Sequence, residues 1–168
     1  SIRYLKTKEF EFDTKAAASA ALGTLFAILA TVTGMLWAKY NWGSYWNWDP
    51  RQTSILFLIL IYAAYFALRS AIDNHETKAK LSAVYAIIAF VTVPFLVFIL
   101  PRLTGGLHPG SADDVNAGPV ISKQGSALDS TMIYSFGVSL FAFTMLFFWI
   151  LNIHIRYKLE ERKRQKTV

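Results

Sequence analysis

A short segment between two apolar stretches concentrates aromatic side chains. Trp42, Tyr45, Trp46 and Trp48 lie within seven positions and are followed directly by Asp49. The indole ring is wide, flat and polarisable, and its N–H can still donate to a partner at a wet edge. Three such rings in one loop beside a membrane indicate a platform for a large, planar, apolar molecule, for which porphyrin is the obvious candidate.

Each tryptophan taken singly has a simpler interpretation, because tryptophan is enriched at membrane–water interfaces. Three of them in one loop favour a binding surface instead. Trp42 and Trp46 would share a face if this segment is helical, since they stand four positions apart. Trp37 and Tyr40 extend the aromatic surface back into the preceding apolar stretch.

Two charged residues accompany the tryptophans. Asp49 suits the N-cap of the second helix, because Pro50 fits the first helical position and Gln52 stands three residues after the cap. Capping does not exclude a further role in binding. Arg51 has three interpretations: it pairs with Asp49, it faces an anionic group such as a haem propionate, or it extends its charged end to the membrane interface.

His108 lies in a turn-forming segment rich in Gly and Pro, on the side predicted for the tryptophans. A neutral imidazole is a usual axial ligand of haem iron, whereas a lone loop histidine is more often simply solvated. The shared side and the aromatic platform favour ligation. His75 and His154 are expected to be structural, because a span of ~30 Å would separate them from His108. The chain has no cysteine, which excludes thiolate and disulfide chemistry within it.

Four apolar stretches are each long enough to cross a bilayer, which takes ~20 residues. The 168-residue chain is 54% hydrophobic, and these stretches carry almost no charge apart from Arg69 near one end. We therefore predict an all-α, polytopic membrane bundle in one domain, residues 1–168, with a tryptophan-rich outer loop at 39–51 and a second outer loop at 101–130. The predicted membrane spans are 16–38, 52–72, 81–100 and 131–155.

Local signals add three expectations about these elements. Asp13 or Thr14 is expected to cap the first long helix. Pro94 interrupts the third apolar stretch and is expected to kink it. Within the second outer loop, residues 115–127 are expected to lie on the membrane surface.

The net charge of +6 is distributed asymmetrically, which argues against a nucleic-acid ligand. A four-span topology places 13 of the 17 lysine and arginine residues on one face of the membrane. The positive-inside rule makes that face cytoplasmic. Both termini of the chain are then expected in the cytoplasm, and the tryptophan and His108 loops are expected to face outward, into the periplasm of a Gram-negative cell.

The segment 42–53, read as WGSYWNWDPRQT between two membrane spans, resembles the tryptophan-rich WWD signature of the haem-handling membrane proteins of cytochrome c maturation. The resemblance covers essentially the whole chain. It is strongest to the CcmC branch, because Ser54 follows Thr53, the chain is short, and a further span follows the Leu-His-Pro loop. The pair Asp49-Pro50 resembles instead the CcsA-type synthases.

The resemblance implies a non-enzymatic protein of the bacterial inner membrane that binds haem b non-covalently at its outer face. His108 matches the family's axial histidine after the motif. The implied partners are a CcmE-like periplasmic haem chaperone that receives the haem, ABC-transporter subunits, a small single-span helper and the lipid bilayer, with no nucleic acid. The predicted haem-binding residues are Trp42, Tyr45, Trp46, Trp48, Asp49, Arg51 and His108.

The family pattern also includes a second axial histidine upstream of the motif, and this sequence has no matching residue. It also lacks the first helices of that pattern, so we expect that an N-terminal part has been omitted or lost. Two other functions stay open. The chain could form part of a CcsA-type cytochrome c synthase, or it could be a non-haem membrane scaffold whose tryptophans form an interface belt.

Overall fold

The computed structural model describes residues 1–108 and 130–167, and the regular secondary structure within those residues is helical throughout. The elements are α1 (Ile2–Thr7), α2 (Phe10–Trp42), α3 (Pro50–Ala71), α4 (His75–Pro94), the π segment (Phe95–Ile99), α5 (Leu100–Leu103) and α6 (Ser130–Thr167). Helices α4 and α5 are joined through the π segment and together form a continuous membrane-length helix over residues 75–103.

Four helices are long and apolar enough to cross a membrane: α2, α3, the continuous α4–α5 helix and α6. The predicted all-α bundle with four transmembrane helices is thereby confirmed. Little of their apolar surface is covered by protein; in α6, none of the most apolar 18-residue window is buried. Such outward-facing apolar side chains are the pattern of helices surrounded by lipid, where exposed apolar groups carry no cost.

The helices extend beyond the predicted spans, and this corrects the predicted loop. Helix α2 continues to Trp42 and α3 begins at Pro50, so the segment without regular structure is 43–49 rather than 39–51. The start of the loop predicted at 101–130 is helical in α5, and the rest of it from residue 109 to 129, with the expected surface segment 115–127, lies outside the described residues. The predicted spans cover only the apolar residues, whereas the helical hydrogen bonds continue into the polar residues at the ends of each span.

Asp13 does not cap α2, contrary to the expectation from sequence. The N-cap is Glu9, and Asp13 lies one turn inside the helix, where it is buried. Its two carboxylate oxygens accept hydrogen bonds from the guanidinium of Arg69 on α3, at 2.7 and 2.9 Å. Thr14 is not a cap either, because its hydroxyl donates to the carbonyl of Phe10 within the same helix. Asp13, which the sequence suggested as an N-cap, therefore joins α2 to α3.

Pro94 ends α4 and is followed directly by the π-helical residues Phe95–Ile99. Proline has no N–H and its ring crowds the preceding turn, so the regular hydrogen-bond ladder cannot continue unchanged past it. A π segment accommodates such a break by widening the helix locally. The sequence predicts a kink at this proline; the structure places a π segment directly after it, and the helix then continues through α5 to Leu103.

Helix α4 also holds the short helix α1 and contacts α3. The ring of Tyr4 on α1 is fully buried against Ala79 and Ala83 of α4. The hydroxyl of Tyr85 on α4 donates to the carbonyl of Ile61 on α3, at 2.8 Å. Small side chains at the contact allow helices to approach closely where no hydrophobic driving force exists between them. The hydrogen bond from Tyr85 joins α4 to α3, and the candidate site lies at the first turn of α3.

The pair between Asp13 and Arg69 leads to a prediction about stability. The two side chains are only 10% and 18% exposed, so Asp13→Ala leaves an uncompensated buried charge, which costs ~3–5 kcal/mol. We expect a large fall in the thermal unfolding midpoint of the detergent-purified protein, measured by circular dichroism. The double variant Asp13→Leu/Arg69→Met should recover most of that loss.

The matched control is the exposed pair of Glu11 and Lys15 on the same helix. Glu11→Ala should move the midpoint little, since exposed pairs contribute ~0–1 kcal/mol. Equal losses for Glu11→Ala and Asp13→Ala would contradict a structural role for the buried pair.

Candidate functional site

The site begins where α2 ends and the chain turns towards α3. Gly43 terminates α2 in the left-handed conformation (φ 76°), and its N–H donates to the carbonyl of Lys39 at 3.1 Å. Glycine is the usual residue there because it has no Cβ to oppose a positive φ. Trp48 also has a positive φ, 54°, which is uncommon for a residue with a large side chain. A conformation of this kind persists only where its surroundings fix it.

Hydrogen bonds to the first turn of α3 provide that fixation. The N–H of Asn47 donates to the Gln52 side chain at 2.8 Å, and the hydroxyl of Thr53 donates to the carbonyl of Trp48 at 3.2 Å. Ser44 closes the other half of the loop by donating to the carbonyl of Trp46 at 3.0 Å. The tryptophan loop is therefore tied to α3 through its backbone, which leaves the indole rings available for packing.

Asp49 is the buried centre of the site. Its carboxylate caps α3 as the sequence predicted, accepting the N–H of Arg51 at 2.9 Å. It also accepts the N–H of Leu107 at 2.7 Å and lies 2.6 Å from Nδ1 of His108. The residue is only 4% exposed. One carboxylate thus joins the start of α3 to a segment that lies almost sixty residues further along the chain.

Gly106 makes this approach possible. A Cβ built at this position would lie 2.7 Å from Oδ2 of Asp49 and 3.0 Å from Cδ of Pro50. Real Cβ atoms do not approach a carboxylate that closely, so any other residue forces Asp49, Pro50 or the segment itself to move. The turn-forming pair of glycines before His108 was the only sign of this requirement in the sequence.

The two titratable groups have shifted pKa values with identifiable causes. Burial would raise the pKa of Asp49, but hydrogen bonds from the backbone N–H groups of Arg51 and Leu107, with the nearby His108, hold it below its ordinary value. Burial lowers the pKa of His108 against the opposing attraction of Asp49. An ionised carboxylate can only accept, so the neutral imidazole is assigned its proton on Nδ1, with the lone pair on Nε2.

Two tryptophans surround the imidazole of His108. The ring of Trp42 meets it edge to face with centroids 4.7 Å apart, and the ring of Trp37 lies nearly parallel to it at 6.2 Å. Trp37 and Trp42 also contact each other edge to face at 4.9 Å. These are the separations at which aromatic pairs attract. Packing therefore restricts the plane of the imidazole, while Asp49 fixes its rotation.

A cavity of about 230 Å³ lies between α2 and α3 beside this cluster. Its aromatic walls are Trp37 and Trp46, and its polar groups are His108, Arg51 and Gln52, with small residues of α2 opposite them. Arg51 and His108 thus line the same mainly apolar cavity. The volume is below the ~300–1,000 Å³ typical of pockets that enclose a whole ligand, so this cavity is too small to enclose a large planar molecule completely.

The structure brings together five of the seven residues predicted as a site. Trp46, Arg51 and His108 line the cavity, Trp42 packs on the imidazole, and Asp49 holds it. Tyr45 and Trp48 are 50% and 71% exposed and do not line it. The Lys39 ammonium lies 5.5 Å from the Tyr45 ring, and Trp48 meets Trp46 edge to face at 5.8 Å.

Three contributors were absent from the predicted set. Trp37 lines the cavity and stacks near His108, Gln52 fastens the loop, and Gly106 admits the carboxylate of Asp49. Trp37 carried a signal, because it extends the aromatic surface into α2. Gly106 was indicated only by its place in the turn-forming segment before His108, and the contact that Gln52 makes with the loop is not revealed by the sequence.

Comparison with known proteins identifies a family for this arrangement. A family model described as CcmC, Heme exporter protein C, matches residues 4–168. The Heme exporter protein C of Bradyrhizobium diazoefficiens is 32% identical over 155 residues, which is 92% of this chain and 55% of that protein. Its counterpart from Haemophilus influenzae is 30% identical over 149 residues, 88% of this chain and 57% of that protein. The chain thus spans little more than half the length of these relatives.

The close approach at Gly106 gives a prediction. Gly106→Ala should displace the Asp49 carboxylate and weaken its bonds to Leu107 and His108, at a cost of ~1–3 kcal/mol for a buried polar group that loses partners. We expect a lower thermal unfolding midpoint by scanning fluorimetry. Gly23→Ala is the control, because nothing lies within 4 Å of a Cβ at that helical position. An unchanged midpoint for Gly106→Ala would show that the segment adapts without loss.

Proposed function

This chain belongs to the Heme exporter protein C (CcmC) family, and we propose from that membership that it binds haem non-covalently and transfers it during cytochrome c maturation. The observation that carries the proposal is the position of His108: an imidazole held by a buried carboxylate, between tryptophan rings, on an apolar cavity. The family match favours transfer over the synthase alternative. It also favours a haem-handling role over a scaffold with an interface belt.

The residues present fit a haem. With Nδ1 engaged by Asp49, iron ligation falls to Nε2 of His108, and histidine is a usual axial ligand of haem iron. A metal-bound histidine ordinarily donates its other N–H to a carboxylate or carbonyl, which orients the ring and raises its basicity. Asp49 already occupies that place. Arg51 supplies a guanidinium on the same cavity, suited to a propionate carboxylate.

The proposed binding mode is edge-on. Trp37 and Trp46, which line the cavity, would hold one edge of the macrocycle, and the rest of the ring would extend along the tryptophan loop. There the exposed Trp48 and Tyr45 offer further aromatic surface. Apolar contact of this kind contributes affinity without fixing the ligand permanently. A partly open site with an exchangeable axial bond suits a protein that passes its cargo on.

The finer parts of the proposal concern partners and place. We propose that the recipient is a CcmE-like periplasmic haem chaperone, and that ABC-transporter subunits and a small single-span helper assist. We place the protein in the bacterial inner membrane with its basic end in the cytoplasm, since lysine and arginine concentrate at the ends of the helices opposite the tryptophan loop. The aromatic site then faces the periplasm.

The first functional prediction concerns His108 itself. His108→Ala removes the proposed iron ligand, so the purified protein reconstituted with haem should lose most of its Soret absorbance or show a band shifted towards that of free haem. His154→Ala on α6 is the matched control and should leave the spectrum unchanged. A Soret band that is unaltered in His108→Ala would mean that another residue binds the iron.

The second concerns Asp49 as a positioning residue. Asp49→Asn keeps an oxygen that can cap α3 but removes the charge behind the imidazole. Haem affinity should fall about 10- to 100-fold, as it does when a carboxylate that hydrogen-bonds a metal-binding histidine is lost. The midpoint potential of the bound haem should rise, because a less basic imidazole stabilises the ferric state less.

Asn74→Ala separates this effect from loss of a helix cap, since the Asn74 side chain caps α4 and accepts the N–H of Thr77 at 2.9 Å. That variant should lower stability while the potential and haem affinity stay at the wild-type values. If Asp49→Asn also left the potential unchanged, Asp49 would be only a cap.

A further inference from the structure

A second cavity lies at the other end of the bundle, among the starts of α2 and α4 and the ends of α3 and α6. Its volume is about 410 Å³. Along α2 its lining runs from Phe10 to Ala21, a distance of ~16 Å at the helical rise of ~1.5 Å per residue. The cavity therefore reaches from the polar ends of the helices well into their apolar part.

Positive charge is in excess at its outer level. Four cationic side chains line it, and its two carboxylates are already engaged: Asp13 by Arg69, and Glu161 by Lys158 at 2.9 Å. Among the residues that the structure describes, the other two cations have no carboxylate within 4.0 Å. These two are Lys78 on α4 and Arg162 on α6, whose guanidinium lies 4.4 Å from the centre of the Phe10 ring.

The deeper level of the cavity is mainly apolar. One turn or more further into the helices its walls are Ala17, Ala18 and Ala21 of α2 and Phe66 of α3. His154 of α6 is the polar side chain at that depth. A site with a cationic mouth above apolar walls matches an amphiphile that has an anionic head and a hydrocarbon chain.

The packing of α6 suggests that a ligand in the second cavity would stabilise the position of this helix in the bundle. Within the described parts of the chain, α6 packs against α2 and makes no close backbone contact with α3 or α4. All four helices nevertheless line the same cavity. A molecule bound there would join α6 to α3 and α4, with which the described residues of α6 make no close backbone contact.

We propose that this cavity binds an anionic phospholipid, with its phosphate between Lys78 and Arg162 and one acyl chain along the alanines of α2 and Phe66. Basic pockets between transmembrane helices at the cytoplasmic level bind anionic lipid headgroups through the same combination of charge and apolar wall. The lipid fastens α6 to the bundle at the end opposite the tryptophan loop. The proposal does not depend on haem binding.

The test is a lipid titration of the delipidated, detergent-solubilised protein followed by native mass spectrometry. Phosphatidylglycerol and phosphatidylcholine with identical acyl chains are compared. The wild-type protein should bind phosphatidylglycerol in preference, and Lys78→Gln/Arg162→Gln should lose about thirtyfold in affinity for it, at the usual contribution per basic residue near an anionic headgroup. Lys78→Gln alone leaves the contact of Arg162 with Phe10 intact and should lose about fivefold.

Lys80→Gln/Arg156→Gln is the matched control, because it removes one lysine from α4 and one arginine from α6 at exposed positions outside the cavity. It should bind phosphatidylglycerol like the wild type. An equal loss in both double variants, or equal binding of the two lipids by the wild type, would overturn the proposal in favour of general surface attraction.

Two competitors test the identity of the ligand. Inorganic phosphate that displaces the lipid at low millimolar concentration would show a site for a small anion rather than a phospholipid. Haem that displaces it, with a Soret band that survives His108→Ala and is lost in His154→Ala, would show a second haem site instead. The lipid proposal requires that neither competitor displaces phosphatidylglycerol.

Discussion

The aromatic end of this protein depends on one buried carboxylate. Asp49 accepts hydrogen bonds from the N–H of Arg51 at the start of α3, from the N–H of Leu107 and from Nδ1–H of His108, and it is almost completely removed from solvent. A carboxylate in that position would be costly without such partners, because burial favours its neutral form. Each partner therefore has to stay in place for the others to be stable, and the helix start, the returning segment and the imidazole form one unit.

The part of this arrangement that is local in sequence could be predicted. Asp49 with Pro50 shows a helix start, and the apolar stretches show the four spans, because capping and membrane length are properties of neighbouring residues. The contact between Asp49 and His108 joins residues 59 positions apart, and the requirement for Gly106 follows only from it. No local pattern encodes either, so a resemblance to a family could suggest His108 as a ligand but not what holds it.

At the opposite end of the bundle, a contact between distant residues made a prediction from local sequence wrong. Asp13 is of a residue type that often caps helices and lies near a helix start, yet its partner is Arg69 on another helix. The prediction that Asp13 caps α2 was wrong for a physical reason. A carboxylate near a helix start is stabilised both by backbone N–H groups and by a guanidinium, and two charge-assisted bonds from Arg69 are the stronger interaction. Apolar composition also marks only the hydrocarbon part of a helix, which is why α2 reached Trp42 beyond the predicted span.

The two buried carboxylates differ in what their partners leave available to a ligand. Asp13 receives both hydrogen bonds from a permanently charged fork, so the pair is complete and any change of partner is costly. Asp49 instead accepts one of its hydrogen bonds from the neutral imidazole of His108, whose second nitrogen then carries a lone pair. In the proposed function, that lone pair is what would bind the haem iron, beside the rings of Trp37 and Trp42. The imidazole of His108 would then separate the buried carboxylate, which stays in place, from the ligand that is passed on.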